Sequence, residues 1–196
     1  MIKIHVNDDW KATEIELAGG EHVSADWIIS NADYHWTETR LLESKRQTFP
    51  ESYREKRLMA PSGFILYLGV KGEVKNLQHH TLLFCEDWNE NFQQIFHKKQ
   101  PPEDPSLYIC CPSKTDPTTA PEGHENLFVL VPFPPDVYLS DAEKEAYTDK
   151  LLTLIEEQIW EKFRERIVEK SLFTAEDFSS RYHAYKWSAL GPVSYT

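Results

Sequence analysis

Apolar and polar residues alternate from the first positions of the chain. Ile2-Lys3-Ile4-His5-Val6 steps with period two, turns at Asn7-Asp8-Asp9, resumes from Ala12 to Leu17 and turns again at Gly19-Gly20. That pattern predicts a β-meander completed by a third strand from His22 to Ser30. Asp33 precedes Tyr34 where a short carboxylate can accept first-turn amides, so a helix is expected to about Leu42, and Phe49-Pro50 opens another to about Arg57. Beyond Pro61 the pattern changes. Gly63–Val70, His80–Cys85, Leu107–Cys111, Leu127–Phe133 and Ile167–Phe173 are short runs rich in aliphatic, aromatic and β-branched residues, bounded by Pro, Gly, Asp and Asn.

Two helices fall between these runs. Asp87 caps an expected helix from Trp88 to Phe96, with Phe92, Ile95 and Phe96 at helical spacing. Ser140-Asp141-Ala142-Glu143 is a capping box for the longest helix, expected to reach about Arg164 with Leu152, Ile155, Ile159 and Phe163 on one stripe and Glu156, Glu157, Glu161 and Lys162 on the remainder. Thr174 and Asp177 suit a last short helix to Tyr182. The links between strands are too short or too proline-broken for repeated crossover helices. The expected fold class is therefore α+β, a mixed or mostly antiparallel sheet covered by helices, with a small N-terminal meander apart from it.

Charge removes one class of function. With 21 Lys and Arg against 32 Asp and Glu, the formal charge is -11, and no basic run of useful length offers a phosphate backbone a footing. Nucleic acid is not an expected partner. No apolar run approaches the roughly 18 residues of a membrane-spanning helix, and the alternating start is unlike a signal sequence, so a cytoplasmic chain is expected.

Four local groups could carry chemistry. Cys110-Cys111 on a strand would point to opposite faces as buried thiols, and no disulfide is expected of them. His79-His80 at a strand start would send its rings apart, which argues against a shared metal, and no metal ligand is assigned. Cys110 with His124 lacks a third orienting group. Lys114 and Asp116 lie in a proline-rich turn, where fixing the turn is the simpler use of the aspartate.

The turn has further content. Pro112–Pro117 reads PSKTDP, Ala120–Gly123 reads APEG and Leu127–Pro132 reads LFVLVP. Asn31-Ala32-Asp33-Tyr34, Ala60–Phe64, Tyr67-Leu68-Gly69, His79-His80, Phe173–Phe178 and Tyr182–Lys186 complete a series spread over nearly the whole chain. In that order and spacing they resemble the bacterial phytoene desaturase family of FAD-dependent carotenoid oxidoreductases. The resemblance implies an internal piece of a longer enzyme, because the family's glycine-rich flavin segments have no counterpart here. It implies residues 1–33 as a remnant of the FAD-binding domain, 34–180 as the substrate-binding domain and 181–196 as a return segment.

From the resemblance it also follows that FAD serves the parent enzyme, that this piece alone is inactive and binds no FAD, and that no residue here is assigned as catalytic or cofactor-binding. A polyene substrate offers no hydrogen-bonding handle, so its tunnel must be aliphatic and aromatic. Phe64, Leu66, Leu68, Phe128 and Leu130 are the candidate lining, with plain core packing as the competing reading. The expected partners are an isoprenoid or carotenoid, the missing FAD domain, the inner membrane surface as a peripheral contact of the parent, and a second copy of the piece. At Trp187 relatives usually carry Gly, and Trp is expected to forbid the positive φ that Gly would tolerate. A stand-alone apolar-ligand module and a protein-interaction domain using the long helix remain the alternatives.

Overall fold

The computed structural model describes residues 1–192, and the C-terminal part of the expected return segment, residues 193–196, lies outside them. In chain order the elements are β1 (Lys3–Val6), β2 (Ala12–Glu16), β3 (His22–Ser24), α1 (Tyr34–Trp36), α2 (Glu51–Glu55), β4 (Ser62–Lys71), β5 (His80–Leu83), α3 (Trp88–Gln93), β6 (Leu107–Cys110), β7 (His124–Phe133), α4 (Asp141–Gln158), β8 (Ile167–Phe173) and α5 (Ala175–Tyr182). Wide π turns, Thr37–Leu41 and Gln94–Lys98, prolong α1 and α3. The chain divides into two compact units, Met1–Ala60 together with the chain from Asp177 on, and Pro61–Glu176.

In the first unit β1, β2 and β3 form an antiparallel meander, as the alternation predicts. The third strand is shorter than expected. It stops at Ser24, and Trp27 and Ile29 are almost fully exposed, so their apolar side chains do not continue the ladder. Asp33 accepts from the Trp36 amide at 3.0 Å and so caps α1. Glu38, on the turn that follows, is buried and ion-paired at 2.9 Å with the equally buried Arg54 of α2.

The second unit holds a five-stranded sheet in the order β5-β6-β7-β4-β8. Every pairing is antiparallel, which places the chain in the α+β class. The longest ladder joins β4 to β7, from Ser62 opposite Phe133 to Lys71 opposite His124. One face is sealed. Phe64, Leu66, Leu68 and Val70 from β4, Leu127, Val129, Val131 and Phe133 from β7, and Leu107 and Ile109 from β6 pack with Tyr147, Leu151, Leu152 and Ile155 of α4 in one core. Each large aliphatic side chain buried there contributes about 1.5–3 kcal/mol.

Helix α4 begins at the expected capping box, with Ser140 Oγ and the Glu143 carboxylate each accepting the other's backbone N–H. It ends earlier than the stripe suggests, at Gln158. The cause is Glu156. Placed among the exposed polar positions by sequence, it is buried, and its Oε1 accepts the Phe163 and Arg164 amides at 2.8 Å each. The chain reverses through Trp160 at φ 55°, which lets Ile159 and Phe163 reach the core from outside the helix.

Trp187 overturns the expectation attached to it. Its φ is 59°, with Lys186 at 50° and His183 at 57°, so this short stretch holds three left-handed residues without a glycine. The backbone keeps a conformation suited to glycine, at about 1–2 kcal/mol per residue, and the side chain does not prevent it.

Candidate functional site

The antiparallel register decides which side chains meet. Across β4 and β7, Phe64 stands opposite Val131, Leu66 opposite Val129 and Leu68 opposite Leu127, all on the sealed face. Phe128 and Leu130 stand opposite Tyr67 and Ile65, and alternation puts those four on the other face. The five candidate lining residues are therefore not one wall. Three lie in the core under α4, and two belong to the outer face.

That outer face is aromatic across four strands. His80 of β5 lies 5.9 Å from the Tyr108 ring of β6, Tyr108 lies 6.2 Å from Phe128 of β7, and Phe128 lies 5.5 Å from Tyr67 of β4, the last two pairs edge to face. Tyr67 is 45% exposed and Leu82 59%, while Tyr108, Phe128 and Leu130 are half-buried. Leu82 pairs with Tyr108, and Tyr108 with Leu130. The face offers rings, aliphatic groups and the Tyr67 and Tyr108 hydroxyls, and no charged side chain within this row. Such a surface suits a long apolar molecule lying across the strands. Hydrophobicity alone could not single out Tyr67, Tyr108 and Leu82; parity relative to the β4–β7 register could have.

The proline-rich turn between β6 and β7 is a lock. Ser113 N–H donates to Asn126 Oδ1 at 3.2 Å, and the Asn126 amide side chain donates to the Thr119 carbonyl. Asp116 accepts the Thr118 amide at 2.9 Å and its hydroxyl at 2.6 Å, and these bonds lower its pKa. Fixing the turn is what the structure shows of the aspartate. Lys114 Nζ reaches Glu125 at 2.9 Å and Glu73 at 3.1 Å, and Glu125 accepts the Val74 amide. Burial works against the Lys114 charge, but the two carboxylates outweigh it and raise its pKa. Gly123, at φ 73°, makes the left-handed tip that a side chain would strain.

The cysteines are free, with Cys85 and Cys111 buried and Cys110 half-buried. Burial pushes the Cys111 thiol above its ordinary pKa, which makes it a poor nucleophile. His79 and His80 depart from expectation. Their ring centroids are 4.2 Å apart, because His79 precedes β5 and the alternation of a strand does not apply to it. His124 turns to the Glu122 carbonyl at 3.0 Å.

In the first unit an open cleft of about 770 Å³ is walled by Asn31, Asp33, Phe178, Tyr182, His183 and Leu190, among others. Asp33 holds this wall together, accepting the Tyr185 amide at 3.2 Å besides capping α1. His183 stacks on Trp36 at 3.8 Å, and Tyr185 on His35 at 3.8 Å.

No protein-family model matches the chain. Among curated proteins it is 40% identical over 177 residues to the carotenoid 3,4-desaturase of Haloarcula japonica, covering 90% of this chain and 36% of that protein. It is 33% identical over 184 residues to the 4,4'-diaponeurosporene oxygenase of Staphylococcus haemolyticus, covering 93% and 36%, and 34% identical over 184 residues to that of Staphylococcus aureus, covering 93% and 37%. The chain thus spans little more than a third of the relatives' length. Over nearly all of its own length it is similar to proteins named carotenoid 3,4-desaturase and 4,4'-diaponeurosporene oxygenase.

Proposed function

We propose that the chain is the substrate-binding part of an FAD-dependent oxidoreductase acting on a long apolar isoprenoid of the carotenoid class, and that the outer face of the five-stranded sheet carries that substrate. The observation that supports this most is the run His80–Tyr108–Phe128–Tyr67, an aromatic surface left on the side of the sheet away from α4. The relatives bear the names carotenoid 3,4-desaturase and 4,4'-diaponeurosporene oxygenase, which support a substrate of the carotenoid class. In this reading residues 34–180 serve the substrate, 1–33 and the segment from 181 serve the flavin domain, and Phe64, Leu66 and Leu68 support the substrate face from behind.

FAD is implied by the family and is not fitted by the residues present. Holding its pyrophosphate takes glycines between a strand and the first turn of a helix. Gly19 and Gly20 lie in the turn between β2 and β3 with nothing within 4 Å of a Cβ built on either, and Gly72 and Gly123 lie in loops that open no helix. We therefore assign the pyrophosphate site to other segments of the parent enzyme and route no step through it here.

The test is retention of a C40 isoprenoid polyene, delivered from detergent micelles, by the purified chain on gel filtration. Tyr67→Glu and Phe128→Glu are expected to lower the bound polyene at least about tenfold, because a buried carboxylate without a partner is strongly disfavoured against an alkyl chain. Trp10→Glu, on an exposed side chain in the other unit, is expected to leave it unchanged. Equal retention by all three variants would sink the assignment of this face.

A further inference from the structure

The two imidazoles before β6 do more than lie close together. His80 stands directly opposite Cys110 in the β5–β6 ladder, and His79 is fixed one residue upstream because its carbonyl accepts the Cys111 amide at 2.8 Å. One ring nitrogen of each histidine and the Cys110 sulfur all fall within 4.8 Å of one another. We propose that His79, His80 and Cys110 form a binding site for a zinc-class divalent cation, with a thiolate and two imidazoles as ligands and a fourth position open to solvent.

Three observations carry the assignment. The donor types are right: imidazole nitrogen and thiolate sulfur both bind Zn²⁺, and three protein ligands with a fourth position open is an arrangement that zinc sites adopt. The distances are within reach, since bonds of about 2.0–2.3 Å in a tetrahedron place ligand atoms roughly 3.4–3.6 Å apart, and the exposed His80 can swing the remaining distance. The imidazoles are also oriented from outside. His79 Nδ1 shares a 2.6 Å hydrogen bond with Thr115 Oγ1, and His80 Nδ1 shares a 2.7 Å bond with the Tyr108 hydroxyl, the kind of support that sets the ring tautomer in metal sites.

A second trio, His5, Glu16 and His22, is equally close, but its geometry is already accounted for by two hydrogen-bonded histidine–glutamate contacts. His5 meets Glu16 at 3.2 Å and His22 meets Glu14 at 3.0 Å, and the group holds no sulfur. Among the described residues, no carboxylate pairs with either ring at the proposed site. A cation there would tie the edge strand β5 to β6, at one end of the aromatic row, and the proposal holds whether or not that row binds an isoprenoid.

The experiment uses the purified chain, freed of metal with a chelator and kept reduced with a phosphine, and titrated with Zn²⁺ and with Co²⁺. Expected are one Zn²⁺ per chain with a dissociation constant near or below about 1 µM, and a Co²⁺ adduct showing thiolate-to-metal charge transfer and the intense visible bands of a four-coordinate ion. Cys110→Ser should abolish the charge-transfer band and weaken Zn²⁺ at least about 100-fold, and His79→Ala and His80→Ala at least about tenfold each. His5→Ala should change neither. A Co²⁺ adduct of the unaltered chain without thiolate charge transfer would overturn the proposal even if a variant fails to fold. So would Zn²⁺ binding of unchanged strength, or a persisting charge-transfer band, in Cys110→Ser.

Discussion

Replacing Glu38 by Gln in the first unit should cost about 3 kcal/mol at neutral pH. The carboxylate is buried, its Oε2 takes Arg54 Nη2 at 2.9 Å, and its Oε1 takes the Thr48 amide at 2.9 Å. Burial pushes the carboxyl's pKa up, but the hydrogen bonds from Thr48 and Arg54 outweigh that and hold it at about 2, against an ordinary 4.5. At about 1.4 kcal/mol per pH unit, that difference corresponds to about 3 kcal/mol of stability. Because the folded pKa is depressed, the contribution is present in full above pH 4.5 and disappears as pH falls toward 2. The glutamine keeps an acceptor for Thr48 but leaves Arg54 buried with one anion fewer, its remaining partners being Glu51 at 3.0 Å and Gln47 at 3.2 Å. For a unit of this size each kcal/mol moves Tm by roughly 4–8 °C, so thermal melts should separate the two proteins by more than 10 °C at pH 7 and bring them together near pH 2. Melts that differ by less than 2 °C at pH 7, or by the same amount at every pH, would refute the assignment of this ion pair as a stabilising one. Replacing both partners, Glu38→Leu with Arg54→Met, should restore much of the loss, since an apolar pair leaves no charge stranded.

Four further substitutions probe other joints. Glu156→Ala removes the acceptor for the Phe163 and Arg164 amides, and should cost about 3 kcal/mol in urea denaturation and speed hydrogen exchange at both amides; with its pKa lowered despite burial, the stability Glu156 supplies should be lost as pH falls below the ordinary carboxylate range, and unchanged exchange at both amides would contradict this. Lys99→Gly relieves a left-handed residue at φ 49° just past the turn that prolongs α3, and should raise stability by about 0.5–1 kcal/mol; a loss would show that the lysine side chain contributes more than the backbone strain takes away. Leu66→Trp overpacks the sealed face and should cost at least about 2 kcal/mol, whereas Leu130→Trp on the outer face should cost under about 1 kcal/mol, and equal losses would mean that both faces are closed core.

Much of the fold is legible in the sequence because local signals and tertiary structure agree. Ser140 with Glu143, Asp33 before α1 and Asp87 before α3 all cap as a short polar side chain before an apolar period should. Pro-rich links without room for crossover helices lead to antiparallel pairing, and each pairing in the five-stranded sheet is antiparallel. Where local propensity is silent, tertiary contacts decide. Glu156 reads as solvent-facing because its helical neighbours are charged, yet two amides beyond the helix draw it inward. Trp27-Ile28-Ile29 reads as strand, yet it finds no partner strand beyond Ser24. Trp187 shows the limit from the other side: residue preference gives the cost of a left-handed φ, and the surrounding chain decides whether that cost is met.

The candidate site was harder to read for a geometric reason. In β4 and β7 both faces are apolar, FILYL against LFVLV, so hydrophobic period cannot separate the face under α4 from the face away from it. Parity could have done so only with the register in hand. The numbers of paired residues on β4 and β7 always total 195, so an even-numbered residue of β4 shares its face with odd-numbered residues of β7. Phe64, Leu66 and Leu68 therefore belong with Leu127, Val129 and Val131, and joining them to Phe128 and Leu130 mixes the two sides. The same parity carries Tyr67 and Ile65 to the outer face, and the β6–β7 pairing of Tyr108 with Leu130 and Cys110 with Phe128 brings the thiol there too. With Cys110 goes His80, its partner across β5 and β6. The aromatic row and the proposed cation ligands are thus consequences of one register, and a one-residue slip of β6 against β7 would bury the thiol and remove Tyr108 from the row.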